Sequence, residues 1–182
     1  MRAENELPPR VMALDPVSRG FGFAVFEGPD RLVDWGVIEV RQDKQLGCLA
    51  HVGRLLERLV PDVLVLENHK SRSSRRCPRV RQLLKAIRFL AATRAVTVVA
   101  LAPRRVRKSY ARLGARNKDQ TAAILAARFP GLDPWVPPAR QLWMSEDARL
   151  GIFDAAAFAL TYLEHGAGTA GRTQGPTDSS HA

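Results

Sequence analysis

Apolar positions along the chain fall into short runs first and helical stripes afterwards. Arg10–Leu14 turns apolar after its first residue and predicts a strand, and Phe21–Glu27 predicts a second. Gly28, Pro29 and Asp30 form a turn signal, after which Arg31–Val40 predicts a third strand. Three strands with short connections make an antiparallel meander. The period then changes. Leu49, Val52, Leu56 and Leu59 lie on one helical stripe within residues 46–59, and Pro61–Asp62 ends it. Val63–Leu66 is a solid apolar run of the kind buried on both faces, and Glu67 closes it. Residues 79–94 predict a helix whose core stripe is Val80, Leu83, Leu84, Ile87 and Leu90, with Arg81, Lys85 and Arg88 on another face. Val96–Leu101 is a fifth strand stopped by Pro103, and helices are expected at about 118–128 and 150–164. The four prolines in residues 129–143 predict a long loop between those helices. The order β-β-β-α-β-α-β-α-α gives an α/β fold: a mixed five-stranded sheet, three strands antiparallel and the rest parallel, flanked by helices.

The ends read differently. Residues 1–9 predict a disordered arm without the apolar stretch of a secretory signal, and residues 166–182, rich in Gly, Thr and Ser, predict a flexible tail. One domain over 10–165 is the expectation for a chain of 182 residues. No apolar run approaches the roughly 18 residues of a membrane span, so no membrane partner and a cytoplasmic location are expected. The two cysteines, Cys48 and Cys77, lack metal-site spacing and predict reduced thiols rather than a zinc centre.

Charge changes the picture. Net charge is +10, but Asn68 to Lys118 contains no acid and carries 16 of the 28 Lys and Arg residues. The remainder has 12 basic against 18 acidic residues, a balance of −6. A mildly acidic body with one strongly basic region is the footprint of a polyanion-binding protein, most often one that binds nucleic acid. A solvated basic surface that only aids solubility explains an acid-free stretch of 51 residues poorly.

Three carboxylates stand out against that background. Asp15 follows the first strand and Glu67 follows the fourth. If those strands lie side by side and parallel, their C-terminal ends meet at one sheet edge, where open α/β sheets bind ligands. Two carboxylates there repel unless a cation lies between them, and oxygen donors suit Mg²⁺ or Mn²⁺. Asp154 is the third, in an otherwise apolar, Ala-rich helix where an unpaired charge is costly. Each has a plain alternative: Asp15 as a turn residue before Pro16, Glu67 as a strand-end charge in water, Asp154 as a solvent-facing side chain.

These stretches together resemble the RuvC family of Holliday junction resolvases, in the ribonuclease H-like superfamily, over residues 10–164. "LDPVSRGFGFAVF" is similar to the family's first strand and hairpin, with its acid on Asp15. "PDVLVLEN" resembles the fourth strand, with the family Glu on Glu67. "APRRVRKSYARLGARNKDQT" is similar to the fifth-strand exit and the DNA-contacting segment after it, with the family Lys on Lys118. "FDAAAFALTYL" looks like the last helix, with the final Asp on Asp154. Four departures accompany the match. Val17 stands where the family usually has Gly, and Gly151 stands where a fourth acid is usual. His69–Lys70 replaces an aromatic wedge, and the loop at 129–145 is longer than usual. If Gly151 breaks the helix, Asp147 or Glu146 folds back to replace the missing acid, and Asp147 is the choice here.

The resemblance implies a Mg²⁺-dependent endonuclease that cuts branched DNA to 5′-phosphate and 3′-hydroxyl ends as a symmetric dimer. Asp15, Glu67, Asp154 and Asp147 would hold two metal ions about 4 Å apart, one activating water and the other stabilising the leaving oxygen. Lys118 would offset charge at the scissile phosphate. Lys70, Arg72, Arg75, Arg76, Arg79, Arg104, Arg105, Arg107 and Lys108 would hold backbone phosphates, which position nucleic acid without reading sequence. The charge pattern suits DNA and RNA alike, so a related nuclease acting on RNA stays open. A non-catalytic binding module on the same fold is the alternative that Gly151 motivates. An actin-like ATPase would need a second such domain and Gly-rich phosphate loops, which the chain lacks.

Overall fold

The computed structural model describes residues 8–17, 19–138 and 146–165; the tail at 166–182 and most of the arm at 1–9 lie outside them. The apolar runs pair as their patterns demand. β1 (Arg10–Val17), β2 (Gly20–Glu27) and β3 (Leu32–Glu39) form the antiparallel meander, and β4 (Val63–Glu67) and β5 (Thr97–Leu101) join β1 in parallel. The sheet order is β3-β2-β1-β4-β5, so β1 is central and β4 is its parallel neighbour.

Side-chain alternation sorts the strands' residues between two cores. Met12, Leu14, Leu64 and Leu66 face α1 (Lys44–Leu59) and α2 (Pro78–Ala92). Val11, Ala13, Val63 and Val65 face the other layer, built of α3 (Pro103–Ala111), α4 (Lys118–Arg128), a 3₁₀ turn (Pro130–Trp135) and α5 (Leu150–His165). Two residues further along, the same parity turns Asp15 and Glu67 toward α5, the helix that carries Asp154.

α5 buries eleven of its sixteen residues, from Leu150 through Thr161 with few breaks. A helix apolar on most of its circumference belongs inside a fold. Its Ala residues let it lie directly on the sheet. Gly22 on β2 and Gly151 on α5 meet there: a Cβ on Gly22 would stand 2.1 Å from the Gly151 carbonyl carbon.

Three differences from the sequence expectations follow from tertiary context. β1 runs past Leu14 to Val17, with Asp15 opposite Gly22 and Pro16 opposite Phe21. Asp15 is therefore a strand residue, not a turn residue. Pro16 is tolerated because the pairing of β1 with β4 ends at Ala13–Val65, so no ladder bond to β4 needs its missing N–H. The basic stretch after β5 is a helix, α3, with Pro103 in its first turn. Only Val106 and Tyr110, one turn apart, are buried in it, too few apolar positions to register as a stripe. The proline-rich loop holds a 3₁₀ turn whose Leu132 is fully buried, while its end at 139–145 lies outside the described residues.

Candidate active site

The C-terminal ends of β1 and β4 open into a cleft of about 640 Å³, closed by α3, α4 and α5. Asp15, Glu67 and Asp154 all line it, with Lys118 beside them and Arg75, Arg107 and Arg116 also on its wall. Asp15 is 2% exposed and Glu67 6%. The Asp154 side chain keeps 19% of its surface in solvent. Thus the structure brings together the three carboxylates singled out in the sequence, each from a different element.

Cations join these acids in two pairs. The Arg76 guanidinium lies between the two strand-end acids: Nη2 donates to Asp15 Oδ1, Nε donates to Glu67 Oε2 at 2.6 Å, and Nη1 donates to the Pro16 carbonyl at 2.9 Å. Ser74 Oγ donates to the other Glu67 oxygen at 2.6 Å. Across the cleft, Lys118 Nζ donates to Asp154 Oδ2 at 2.7 Å and to Glu146 Oε1. Lys118 is the first residue of α4, and Asn117 fixes it there by capping the helix, its side chain accepting from the Gln120 N–H at 2.9 Å.

The electrostatics follow from burial against pairing. Burial pushes the Asp15 carboxyl up to about 7, although Arg76 pulls the other way. Asp154 is also raised, by burial first, against the pull of Lys118. Burial works against the charge on Arg76, but Asp15 and Glu67 outweigh it and hold the guanidinium above its ordinary value. Lys118 is likewise raised, because Asp154 overcomes the burial penalty. Both cations therefore stay charged, and the acid cluster is a strong attractor of positive charge.

The two candidates for a fourth acid, Asp147 and Glu146, have different partners. Asp147 turns onto Arg149, accepting at 2.7 Å from its Nη2, and this partner holds its carboxyl below the usual range. Glu146 is the residue that reaches the cluster, through Lys118. Gly151 lies against the sheet: a Cβ there would stand 3.1 Å from the Gly22 nitrogen, so any side chain at this position requires the neighbouring backbone to give by a few tenths of an ångström.

The basic residues expected on phosphates divide between several surroundings. Arg75 and Arg107 line the cleft and are exposed. Lys70, Arg72, Arg104 and Lys108 are exposed outside its wall. Arg105 is half-buried and donates to the His165 carbonyl at 2.7 Å. Arg79 lies on α2, in a small pocket it lines with Val17, Gly20 and Cys48. Arg76 lines the cleft with its guanidinium paired to Asp15 and Glu67. The sequence singled out neither Ser74 nor Arg116, and only the Ser-containing loop and the basic run hinted at them. His69, expected near the cleft in place of an aromatic wedge, is 5% exposed, and neither ring nitrogen has a hydrogen-bond partner among the described residues. Burial, then the nearby Lys85 and Arg88, lowers its pKa and keeps the ring neutral.

Among the described residues no three carboxylate, imidazole or thiol groups already form a metal cage. The donor set nevertheless fits a hard divalent cation. It consists of carboxylate oxygens, two of them side by side at the ends of parallel strands and bridged by one planar cation.

No known protein family matches the chain as a whole-family profile. Individual proteins do. The crossover junction endodeoxyribonuclease RuvC of Akkermansia muciniphila is 29% identical over 163 residues, spanning 85% of this chain and 90% of the relative. RuvC of Thermus thermophilus shares the fold at a TM-score of 0.63 and 22% identity, covering 86% of this chain and 96% of its own. The same protein solved in complex with a Holliday junction substrate gives 0.62 at 21% identity, over 86% of this chain and 96% of that one. The yeast mitochondrial Holliday junction resolvase gives 0.58 at 14%, with 88% and 80% covered. The mixed sheet in the order β3-β2-β1-β4-β5 is the fold these solved structures share with the chain, and the match to the Akkermansia protein makes it similar to RuvC in sequence along most of its length.

Proposed function

We propose that the chain is a structure-selective endonuclease that cuts branched DNA, four-way junctions above all. The observation that carries this reading is the convergence of Asp15, Glu67 and Asp154 with Lys118 in one cleft with arginines on its wall. The names of the relatives, a crossover junction endodeoxyribonuclease and a resolvase bound to a Holliday junction, support the same substrate class.

Asp15, Glu67 and Asp154 would hold Mg²⁺ or Mn²⁺, with Glu146 in reach through Lys118. When bound, the metal supplies Lewis-acid stabilisation of the phosphoryl oxygens and activates the attacking water, leaving 5′-phosphate and 3′-hydroxyl ends. The chain's own groups do the rest. Arg75, Arg107 and Arg116 hold backbone phosphates along the cleft and set the scissile bond over the acids. Lys118, charged at neutral pH, neutralises the negative charge that grows on the phosphate. Paired cuts across a four-way junction call for two copies related by a twofold axis.

Replacing Lys118 with Ala is expected to lower the single-turnover cutting rate by about 100-fold, the usual cost of losing one preorganised charge donor. Replacing Arg107 and Arg116 with Ala together is expected to weaken junction binding and to reduce the slope of log K against log salt by about 2, close to 0.9 per lost phosphate contact. Fluorescence anisotropy across a salt series measures it.

Gly151 favours one rival, a module that binds junctions without cutting, because the position of a fourth acid carries no side chain. A cleavage panel decides. Purified protein is mixed with four-way junction, flap, duplex, single-stranded DNA and RNA–DNA hybrid, with Mg²⁺ or Mn²⁺. Cutting of the junction in preference to duplex supports the reading. Tight junction binding with no cutting in either metal establishes the module instead, and preference for the hybrid makes RNA the substrate.

A further inference from the structure

Arg76 is held more completely than a phosphate-contact residue needs to be. Three of its nitrogens donate, to Asp15, Glu67 and the Pro16 carbonyl, and the side chain is only 22% exposed. Its backbone is anchored as well: the Arg76 carbonyl accepts from Arg81 Nε at 2.9 Å on α2. The loop that carries it, residues 68–77, is folded on itself. The Ser71 N–H donates to the Asn68 carbonyl at 3.0 Å and the Ser74 N–H to the Ser71 carbonyl at 3.0 Å. Ser73 Oγ also accepts from the Arg104 N–H at 3.2 Å, which ties the loop to α3. Glu67 lies at one end of this loop and Arg76 near the other, so the chain closes a ring over the two acids.

The two strand-end carboxylates must be neutralised by something, because buried like charges repel. An arginine tethered to the same loop does this at a high effective concentration. A guanidinium and a divalent ion cannot share the gap between Asp15 and Glu67. We propose that Arg76 is an internal counter-ion that occupies the divalent-metal position of the free protein, so that metal enters only as the guanidinium leaves. This rests on the reading of Asp15 and Glu67 as metal ligands. Metal affinity is then reduced by the fraction of molecules in which Arg76 has let go. The released side chain lies beside Arg75 on the cleft wall, where a nucleic-acid phosphate is the natural acceptor. Phosphate binding and metal binding thereby favour the same open state, and each strengthens the other by the same factor.

The test is equilibrium binding of Mn²⁺, followed by the loss of the free-ion EPR signal, without nucleic acid. Arg76→Gln is expected to bind Mn²⁺ at least about tenfold more tightly than the unmodified protein. Asp15→Asn placed on top of Arg76→Gln is expected to lose that binding, which locates the ion. Equal or weaker binding by Arg76→Gln, with binding to the unmodified protein measurable, overturns the proposal and leaves the metal reading intact. No Mn²⁺ binding by either protein at millimolar concentration overturns both. If Arg76→Gln does not fold, the unmodified protein decides by NMR. The Arg76 Nε–H, held by Glu67, is expected to lose its protection from solvent exchange as Mg²⁺ is added. An Nε–H that stays protected at saturating Mg²⁺ overturns the proposal.

Discussion

Asp15→Asn is expected to lower junction cutting at least about 10³-fold, roughly 4 kcal/mol of transition-state stabilisation, while junction binding stays within about twofold. The reason lies in what the substitution keeps. Asparagine has the same shape, and its side-chain carbonyl still accepts from Arg76 in the place of Asp15 Oδ1. It loses only the negative charge that a metal ion needs as a ligand. Asp15 is 2% exposed and its ionised form is disfavoured by burial, so removing the charge does not unfold the protein. Thermal melts of the variant should match or exceed the unmodified protein. Phosphate contacts come from the basic residues, which are untouched, so binding persists. Single-turnover cleavage with anisotropy on the same junction measures both halves. Cutting at the ordinary rate means that Asp15 is not a ligand. Loss of binding together with loss of cutting means that it acts through the fold.

Gly22→Ala is expected to destabilise the protein by about 3 kcal/mol or more, read by chemical denaturation. The added Cβ would stand 2.1 Å from the Gly151 carbonyl carbon and 2.5 Å from the Ile152 nitrogen. Those atoms are backbone, in the first turns of a buried helix, and have no rotamer to escape into. Either β2 or α5 must move. Asp154 lies one turn beyond Gly151 and faces Asp15, the β1 partner of Gly22. A shift in α5 therefore alters the acid cluster directly, and cutting should fall even at temperatures where the variant is folded. Gly151→Ala is the milder partner: its nearest contact is 3.1 Å, which a few tenths of an ångström of movement relieves. A Gly22→Ala variant as stable as the unmodified protein would show that α5 does not lie this closely on the sheet.

The contrast between Asp15 and Asp147 shows how far the chain could be read unaided. Asp15 and Glu67 each follow a run of apolar residues with a clear strand pattern, so the pleat alone assigns both side chains to one face of the sheet. Parallel neighbours then put both at the same edge. Asp147 belongs to a stretch with no period, and its fate depends on Arg149, two residues away, reaching back to it. Local pairing of that kind leaves no mark in the pattern of apolar positions.

The sequence by itself determined the five strands, four of the five helices, the three carboxylates and the basic region, because periodicity and charge are properties of the chain in any conformation, whereas α3, with only Val106 and Tyr110 buried, left no stripe to read. The tertiary structure decided what each charge is paired with. It took Arg76 from the basic stretch and placed it between Asp15 and Glu67, and it set Glu146 rather than Asp147 against Lys118. It also turned Gly151 from a missing acid into a point of contact with Gly22. The two ion pairs join residues 61 and 28 positions apart, and the glycine contact joins Gly22 to Gly151 at the far end of the chain, across segments that touch only once the sheet and α5 have packed. Distances of that order are fixed by packing, and no local pattern encodes them.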